Sequence, residues 1–138
     1  MSEPTNMAGA NLASANFRGQ IMCGANLSGA ILVQADMLNC DLSGTNLSGA
    51  DLNGADLTDA DLSDANLTGA NLTRARLRGA NFSGADLTGA VLARTDLQDA
   101  EFRGAKLDVE KLDISGARAW QQAKWDQSVL EALKAKYG

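Results

Sequence analysis

Carboxylates recur every five residues along the middle of the chain, as at Asp51, Asp56 and Asp61. Paired carboxylates can act as general acid and base. The carboxylates here follow a five-residue repeat of the sequence, so no pair of them differs from the others. The 138 residues include no histidine, the commonest acid–base catalyst and metal ligand. The sequence also lacks a nucleophile elbow, a phosphate-binding loop and any spacing typical of metal ligands. We therefore predict no catalytic, cofactor-binding or metal-binding residue, and no enzyme activity.

The amino-acid composition limits the kinds of partner and the cellular locations that we expect for this protein. The formal net charge is −5, whereas nucleic-acid binding requires clustered Lys and Arg, so we expect no direct contact with nucleic acid. Cys23 and Cys40 form no CxxC motif, and we expect two buried or half-buried free thiols. No run of about 18 apolar residues occurs, so no membrane span is predicted. The first residues, MSEPTNMAG, carry no basic or apolar segment typical of a secretory signal, and we expect a cytoplasmic protein.

A five-residue unit organises the chain, most regularly in ADLNGADLTDADLSDANLTG at 50–69. Position 1 is a small residue, usually Ala, and position 2 is usually Asp or Asn. Position 3 is Leu, Met or Phe, position 4 is usually small and polar, and position 5 is usually Gly or polar. Position 3 is filled in this way in 22 consecutive units from Met7 to Leu112, without a slip of frame. Fixed periodicity of this kind is the signature of a repeat architecture.

A period of five fits neither an α-helix nor a plain β-strand. Positions 1 and 3 alternate, as in a short extended segment with two inward side chains. Gly occupies position 5 in 12 of the 22 units, which indicates a turn because Gly tolerates positive φ. Each unit is therefore predicted to be an extended segment followed by a turn. The predicted structural core contains the central residues Leu42, Leu47, Leu52, Leu57, Leu62, Leu67, Leu72, Leu77, Phe82 and Phe102.

Units such as ANLSG, ADLNG, ADLTD and ANLTG resemble the A(D/N)LXX consensus of the pentapeptide repeat family. The resemblance covers residues 5–114. It implies an all-β solenoid, namely a right-handed quadrilateral parallel β-helix of about 5.5 coils with four pentapeptides in each coil. Residues 1–4 are then an N-terminal tail, and residues 115–138 are predicted to form a C-terminal α-helical cap.

Four pentapeptides in each coil make residues n and n + 20 stack, at a spacing of about 4.8 Å. Phe82 is then predicted to lie against Phe102. Arg76 falls between Asp56 and Asp96 in one column and is expected to pair with both. Another column predicts a ladder of side-chain amides, formed by Asn6, Asn26, Asn46 and Asn66.

Acidic residues concentrate on two neighbouring faces, because no Lys or Arg occurs between Gly19 and Thr73. Arginines follow directly, and Arg74 stacks on Arg94 without an obvious partner. Two interpretations of the acidic residues stay open. They form a solvated surface, since Asp is favoured at position 2 and in turns, or they form a surface that mimics DNA. The candidate acidic interaction face contains Asp36, Asp41, Asp56, Asp59, Asp61 and Asp64.

The unit fails after Ile114, because the following residues supply no large central side chain and no turn signal. Helix formers follow, with Asp126 or Ser128 as the predicted N-cap and Ser128 with Glu131 as a capping box. A solenoid needs a cap, because its last coil exposes its core and unpaired edge groups. The tail is either such a lid or a dimer interface, as similar tails make in some family members. The contact residues are Trp120, Trp125, Val129, Leu130 and Leu133.

The resemblance implies a non-enzymatic structural or protein-interaction solenoid with an unidentified protein partner, and a homodimer through a solenoid end is a further prediction. The alternative is a DNA-mimicking inhibitor or protector of a type II topoisomerase (gyrase), as in family members that confer quinolone protection. A rod of about 25–30 Å interrupted by arginines is a poor mimic of DNA, which carries one phosphate per about 1.7 Å. The Leu-rich centres also resemble cyanobacterial-type repeats more than the Phe-rich quinolone-protection type.

Overall fold

Parallel bridges between residues 20 apart build the fold in the computed structural model, which describes residues 5–138. The predicted tail at 1–4 lies outside the described residues. Four bridges join each coil to the next, so a coil has four sides, and the bridges continue through six coils rather than 5.5. We number the sides 1 to 4 by the columns that begin at Asn6, Asn11, Asn16 and Ile21.

Each side contributes a single bridging residue, at position 2 of the unit. Leu47 donates its N–H to Asn66 O (2.7 Å), and Asn66 donates its N–H to Thr45 O (2.9 Å). The turn occupies the next two residues after the centre, so no second residue can continue the ladder. Residues 5–138 therefore contain isolated bridges in place of longer β-strands.

The turns explain why Asp and Asn recur at position 2. Asp61 Oδ1 accepts hydrogen bonds from both the N–H (2.9 Å) and the hydroxyl (2.6 Å) of Ser63. This Asx turn pairs a carboxylate or amide at position 2 with Ser or Thr at position 4. The predicted amide ladder is wrong, because within 5–138 the Oδ1 atoms of its members accept the N–H groups of their own turns instead. The asparagines in this column are Asn6, Asn26, Asn46 and Asn66.

Position 5 has positive φ whether or not it is Gly. Gly49 has φ 64° and Asp59 has φ 58°, and Ala50 donates its N–H to Leu47 O (3.0 Å) across the turn. A left-handed conformation costs a non-Gly residue about 1–2 kcal/mol, which explains why Gly is the commonest choice here.

The central side chains fill the interior. Phe82 and Phe102 stack face to face, with ring centroids 4.8 Å apart, as the 20-residue spacing predicts. The alanines at position 1 from Ala25 to Ala100 are buried beside the centres. Ten central residues are 0–1% exposed: Leu42, Leu47, Leu52, Leu57, Leu62, Leu67, Leu72, Leu77, Phe82 and Phe102.

The repeat frame slips in the last coil, contrary to the sequence prediction. Lys106 bridges Asp86 at the regular spacing, but the next bridge joins Val91 to Asp113, 22 residues on. Two extra residues are accommodated around the turn at 109–111. Ile114 therefore takes the central position and Leu112 takes position 1, where Ala usually lies.

The bridge ladder then runs past residue 114, the predicted end of the solenoid, to Lys124. Gly116 supplies a turn with φ 69°, so the prediction that no turn signal follows Ile114 is wrong. A 3₁₀-helix at Trp120–Gln122 adds one more residue, and Lys124 bridges Glu101 at 23 residues. Trp125 thus takes the central position of the last unit in the sixth coil, and its ring stacks on that of Phe102 at 4.3 Å.

A single α-helix, α1 at Gln127–Tyr137, follows the sixth coil. Asp126 is its N-cap residue, but the carboxylate makes no cap hydrogen bond; it accepts the N–H of Gly104 (3.0 Å) instead. Ser128 lies inside the helix, so the predicted capping box does not form. The carboxylate of Asp126 thereby satisfies a turn amide of the fifth coil, whose counterparts, such as Gly49, donate to a position 4 carbonyl of the next coil.

Candidate functional site

Two of the four sides carry the candidate acidic interaction face. Bridges stack Asp36 on Asp56 along side 3, and Asp41 on Asp61 along side 4. Asp59 lies in the turn between these sides, and Asp64 lies in the turn that follows side 4. The fold therefore brings the six predicted carboxylates, Asp36, Asp41, Asp56, Asp59, Asp61 and Asp64, together within the second and third coils.

The position 2 carboxylates of this face serve the fold as well as the surface. The N–H of Leu38, with a smaller contribution from Arg18, lowers the pKa of Asp36 below its usual value. The hydroxyl and N–H of Ser43 lower the pKa of Asp41 in the same way. Both carboxylates are therefore held in the charged form.

Asp59 and Asp64 lie in turns and have left-handed backbones, with φ 58° at each. Their side chains lean over Gly79 and Gly84 of the next coil, where a Cβ would clash with the carboxylate oxygens. Glycine in the following coil is therefore what leaves room for these two acids.

Arginines dominate the same region in the following coils. Arg74, Arg76 and Arg78 belong to the fourth coil and Arg94 to the fifth, as the sequence predicts. Arg118 joins them in the sixth coil because Asp96 bridges it at 22 residues, a spacing that the n + 20 rule cannot find. These five arginines line one groove of about 330 Å³, together with Thr58, Ala75 and Asp96; we name it the arginine groove.

Ion pairing across the boundary between the acids and the arginines is slight. Arg76 Nη1 lies 3.8 Å from Asp56 Oδ2, but no ion pair within 4.0 Å joins Arg76 to Asp96 among the described residues, so only one of its two predicted pairs forms. The Arg76 side chain is 74% exposed, and an exposed pair of this kind contributes about 0–1 kcal/mol.

The C-terminal contact residues pack against their own chain. Leu133 is fully buried, and Val129 and Leu130 are half-buried against the same core. Trp125 Nε1 donates to Trp120 O (2.8 Å) inside the last coil. This packing favours the lid over the dimer interface at the C-terminal end.

The end of α1 also satisfies the edge of the sixth coil. Tyr137 OH donates to Leu112 O (3.2 Å), and Lys136 Nζ donates to Val109 O (3.2 Å) and Glu110 O (3.3 Å). These carbonyls have no further coil to bond, so α1 covers both the apolar interior and its polar edge. The homodimer through a solenoid end stays a prediction.

The remaining candidate chemistry is sparse. Cys23 and Cys40 are both free; Cys40 is buried, and burial raises the pKa of its thiol. Cys23 is exposed, so the expectation of burial is wrong for it. Within residues 5–138, no group of His, Cys, Asp or Glu side chains is arranged to hold a metal ion. No helix in this part of the chain is long and apolar enough to cross a membrane.

Comparison with known proteins identifies the repeat. The family model described as pentapeptide repeats matches residues 5–37, 35–74 and 70–108. A search of curated proteins finds no match.

Three solved structures illustrate the similarity. Rfr23 from the cyanobacterium Cyanothece 51142 is 30% identical, with a TM-score of 0.63 over 89% of each chain. A pentapeptide repeat protein from the thylakoid lumen of Arabidopsis thaliana is 38% identical, with a TM-score of 0.54 over 62% of this chain and 63% of that one. QnrB1, a plasmid-mediated fluoroquinolone resistance protein, is 18% identical, with a TM-score of 0.55 over 99% of this chain and 72% of that one, and shares the fold alone. The cytoplasmic location stays a prediction.

Proposed function

The chain belongs to the pentapeptide repeat family, and from that premise we propose that it is a non-catalytic rod that binds another protein through its outer sides. The main support for the proposal is that each five-residue unit has separate inward and outward positions. The side chains at positions 1 and 3 fill the interior of the solenoid. The grooves found among residues 5–138 lie on the outer surface and are open to solvent. A partner that lies along the outer sides must therefore recognise positions 2, 4 and 5.

The outer surface is specific enough to select a partner. Six carboxylates lie on two neighbouring sides of the second and third coils, and five arginines follow in coils four to six. Charge separated in this way sets the orientation of a partner and raises its association rate. A protein surface with basic residues is the complement of the acidic face.

Substitution of Asp by Asn tests this surface without damage to the fold. Asn occupies position 2 in other units and keeps the Oδ1 acceptor of the Asx turn, as Asn66 does. The experiment is a quantitative pull-down from the native cell with wild type, with Asp56→Asn/Asp61→Asn, and with Asp86→Asn on side 1 as the control. We expect wild type to capture one partner protein in stoichiometric amount, and the complex to form again from the two purified proteins. Binding of this partner should be lost only in the double variant. Retention of every partner by the double variant would remove the acidic face as the contact.

The acidic face also favours a second candidate, a DNA-mimicking inhibitor or protector of a type II topoisomerase. Against it, five steps of about 4.8 Å give a rod of only about 24 Å, and the arginine groove interrupts the acidic columns. A supercoiling assay with gyrase decides this candidate. Inhibition that disappears in Asp56→Asn/Asp61→Asn and persists in Asp86→Asn would support it, whereas no inhibition at tens of micromolar protein would exclude it.

We also propose that the coils wind in the right-handed sense. Connections between parallel neighbours in one sheet are right-handed in about 98% of cases, which supports the right-handed coil that the family resemblance implies. A crystal structure of the chain tests the hand directly.

A further inference from the structure

Five of the seven arginines in the chain surround one groove on side 3 and the turns before and after it. Asp96 is the one carboxylate in the lining. Five guanidinium groups against one carboxylate make this a concentrated cationic site on a chain whose net charge is −5. Such local concentration is not explained by the repeat, which favours Asp or Asn at position 2 and Gly at position 5.

The guanidinium groups of the groove have little to bond within the chain. Across residues 5–138, none of the five donates a side-chain hydrogen bond, and the pair between Arg76 and Asp56 at 3.8 Å is the one ion pair that they make. The other two ion pairs within residues 5–138 involve Arg18 and Arg103, which lie outside the groove. Each guanidinium carries five N–H donors, so the groove presents donors to whatever enters it.

The arrangement works against the stability of the rod. Arg74 and Arg94 take position 5 of successive coils with φ 61° and 58°, a backbone that Gly adopts without strain. Their charges also lie in one column, at a coil spacing of about 4.8 Å. Departures from the local rules that the rest of a chain obeys tend to mark functional sites.

We propose that the arginine groove binds a phosphate group, presented by a phosphorylated protein segment or taken as free inorganic phosphate or pyrophosphate. Planar guanidinium groups bind phosphate oxygens through paired hydrogen bonds. A phosphate monoester carries a charge of about −1.5 to −2 and three acceptor oxygens, so it neutralises more of this groove than one carboxylate does. The volume of about 330 Å³ admits a compact ligand of this kind. The site goes beyond the proposed function and does not rest on it, because a free anion would bind whether or not a protein partner exists.

The surroundings select a compact anion over nucleic acid. No aromatic side chain lines the groove, and base stacking on aromatic rings is the usual platform for single strands. Asp59 and Asp99 flank Arg78 in the neighbouring groove, and Asp56 lies beside Arg76. A duplex lying across side 3 would meet these carboxylates as well as Asp96, whereas a single phosphate group inside the groove meets Asp96 as the one carboxylate of the lining.

Titration calorimetry of the full chain with sodium pyrophosphate, at about 0.1 M salt, tests the site. The test variant is Arg74→Gly/Arg94→Gly, because Gly suits the left-handed backbone and should leave the thermal midpoint no lower than in wild type. The control is Arg18→Ala/Arg103→Ala, which removes two arginines outside the groove. We expect one saturable site in wild type and control, and binding weaker by about tenfold or more per arginine removed in the test variant.

A phosphoserine peptide and its unphosphorylated form distinguish the two sources of phosphate. Tighter binding of the phosphopeptide than of pyrophosphate, with none for the unphosphorylated form, supports a protein source, and the reverse order supports the free anion. The site is overturned if pyrophosphate does not saturate, if test and control variants lose affinity equally, or if duplex DNA binds the groove more tightly than pyrophosphate.

Discussion

Replacement of Trp125 tests whether the solenoid has a sixth coil. The ring is 6% exposed and stacks on Phe102 at 4.3 Å, continuing the column that Phe82 begins. Truncation of a buried Trp to Ala costs about 3–5 kcal/mol, because the side chain leaves a cavity that the surroundings fill only in part. For a chain of this length, that loss corresponds to a fall of about 10–20 °C in Tm.

A matched variant separates ring burial from the hydrogen bond of the indole. Trp125→Phe keeps an aromatic ring on Phe102 but removes the donation from Nε1 to Trp120 O (2.8 Å). Trp120 O still accepts the N–H of Ala123 (3.3 Å), so it is not left unpaired. The expected cost is about 0.5–1.5 kcal/mol, well below that of Trp125→Ala.

Urea unfolding followed by circular dichroism, together with thermal scans, measures both variants. Loss of the sixth coil alone would appear as a separate early transition, since each coil of a solenoid contacts only its neighbours. A cost for Trp125→Ala within about 0.5 kcal/mol, the range for exposed positions, would refute the place of Trp125 in the core.

The core, the pH response and the two charged surfaces give the remaining predictions. Leu62→Asp should abolish the cooperative thermal transition, because a charge replaces a fully buried centre with no partner; a retained transition would contradict its position. The Ser43 hydroxyl and N–H lower the pKa of Asp41 below 3.8, so this carboxylate contributes stability that is present above pH 3.8 and lost as the pH falls through and below that value. Ser43→Ala should move the pKa back toward 3.8 in an NMR titration, and an unchanged pKa would exclude the hydroxyl as the cause. Arg74→Gly/Arg94→Gly should lose pyrophosphate affinity without loss of thermal stability, and Asp56→Asn/Asp61→Asn should lose the protein partner while keeping the fold.

The middle of the chain illustrates how much a repeat reveals without coordinates. The period of five identified the inward residues and the turns, because both follow from local geometry repeated without change. The stacking of residues 20 apart came from the four units per coil that the family resemblance implies. Phe82 on Phe102 and the gathering of Asp36, Asp56 and their neighbours are direct results of that rule. The reason for Asp at position 2 could not be inferred from the period, since it depends on hydrogen bonds to the following turn.

The last coil depended on the tertiary structure. The sequence placed Leu112 at a centre because it continues the count of five, yet two added residues at the turn shift Ile114 into that position. A count along the chain cannot detect such an insertion, because the spacing that matters is the bridge to the coil beneath. The same shift brings Arg118 to the arginine groove and Trp125 onto Phe102. Local residue chemistry thus determined the regular coils, while packing between coils decided how the solenoid ends and which charges meet on its surface.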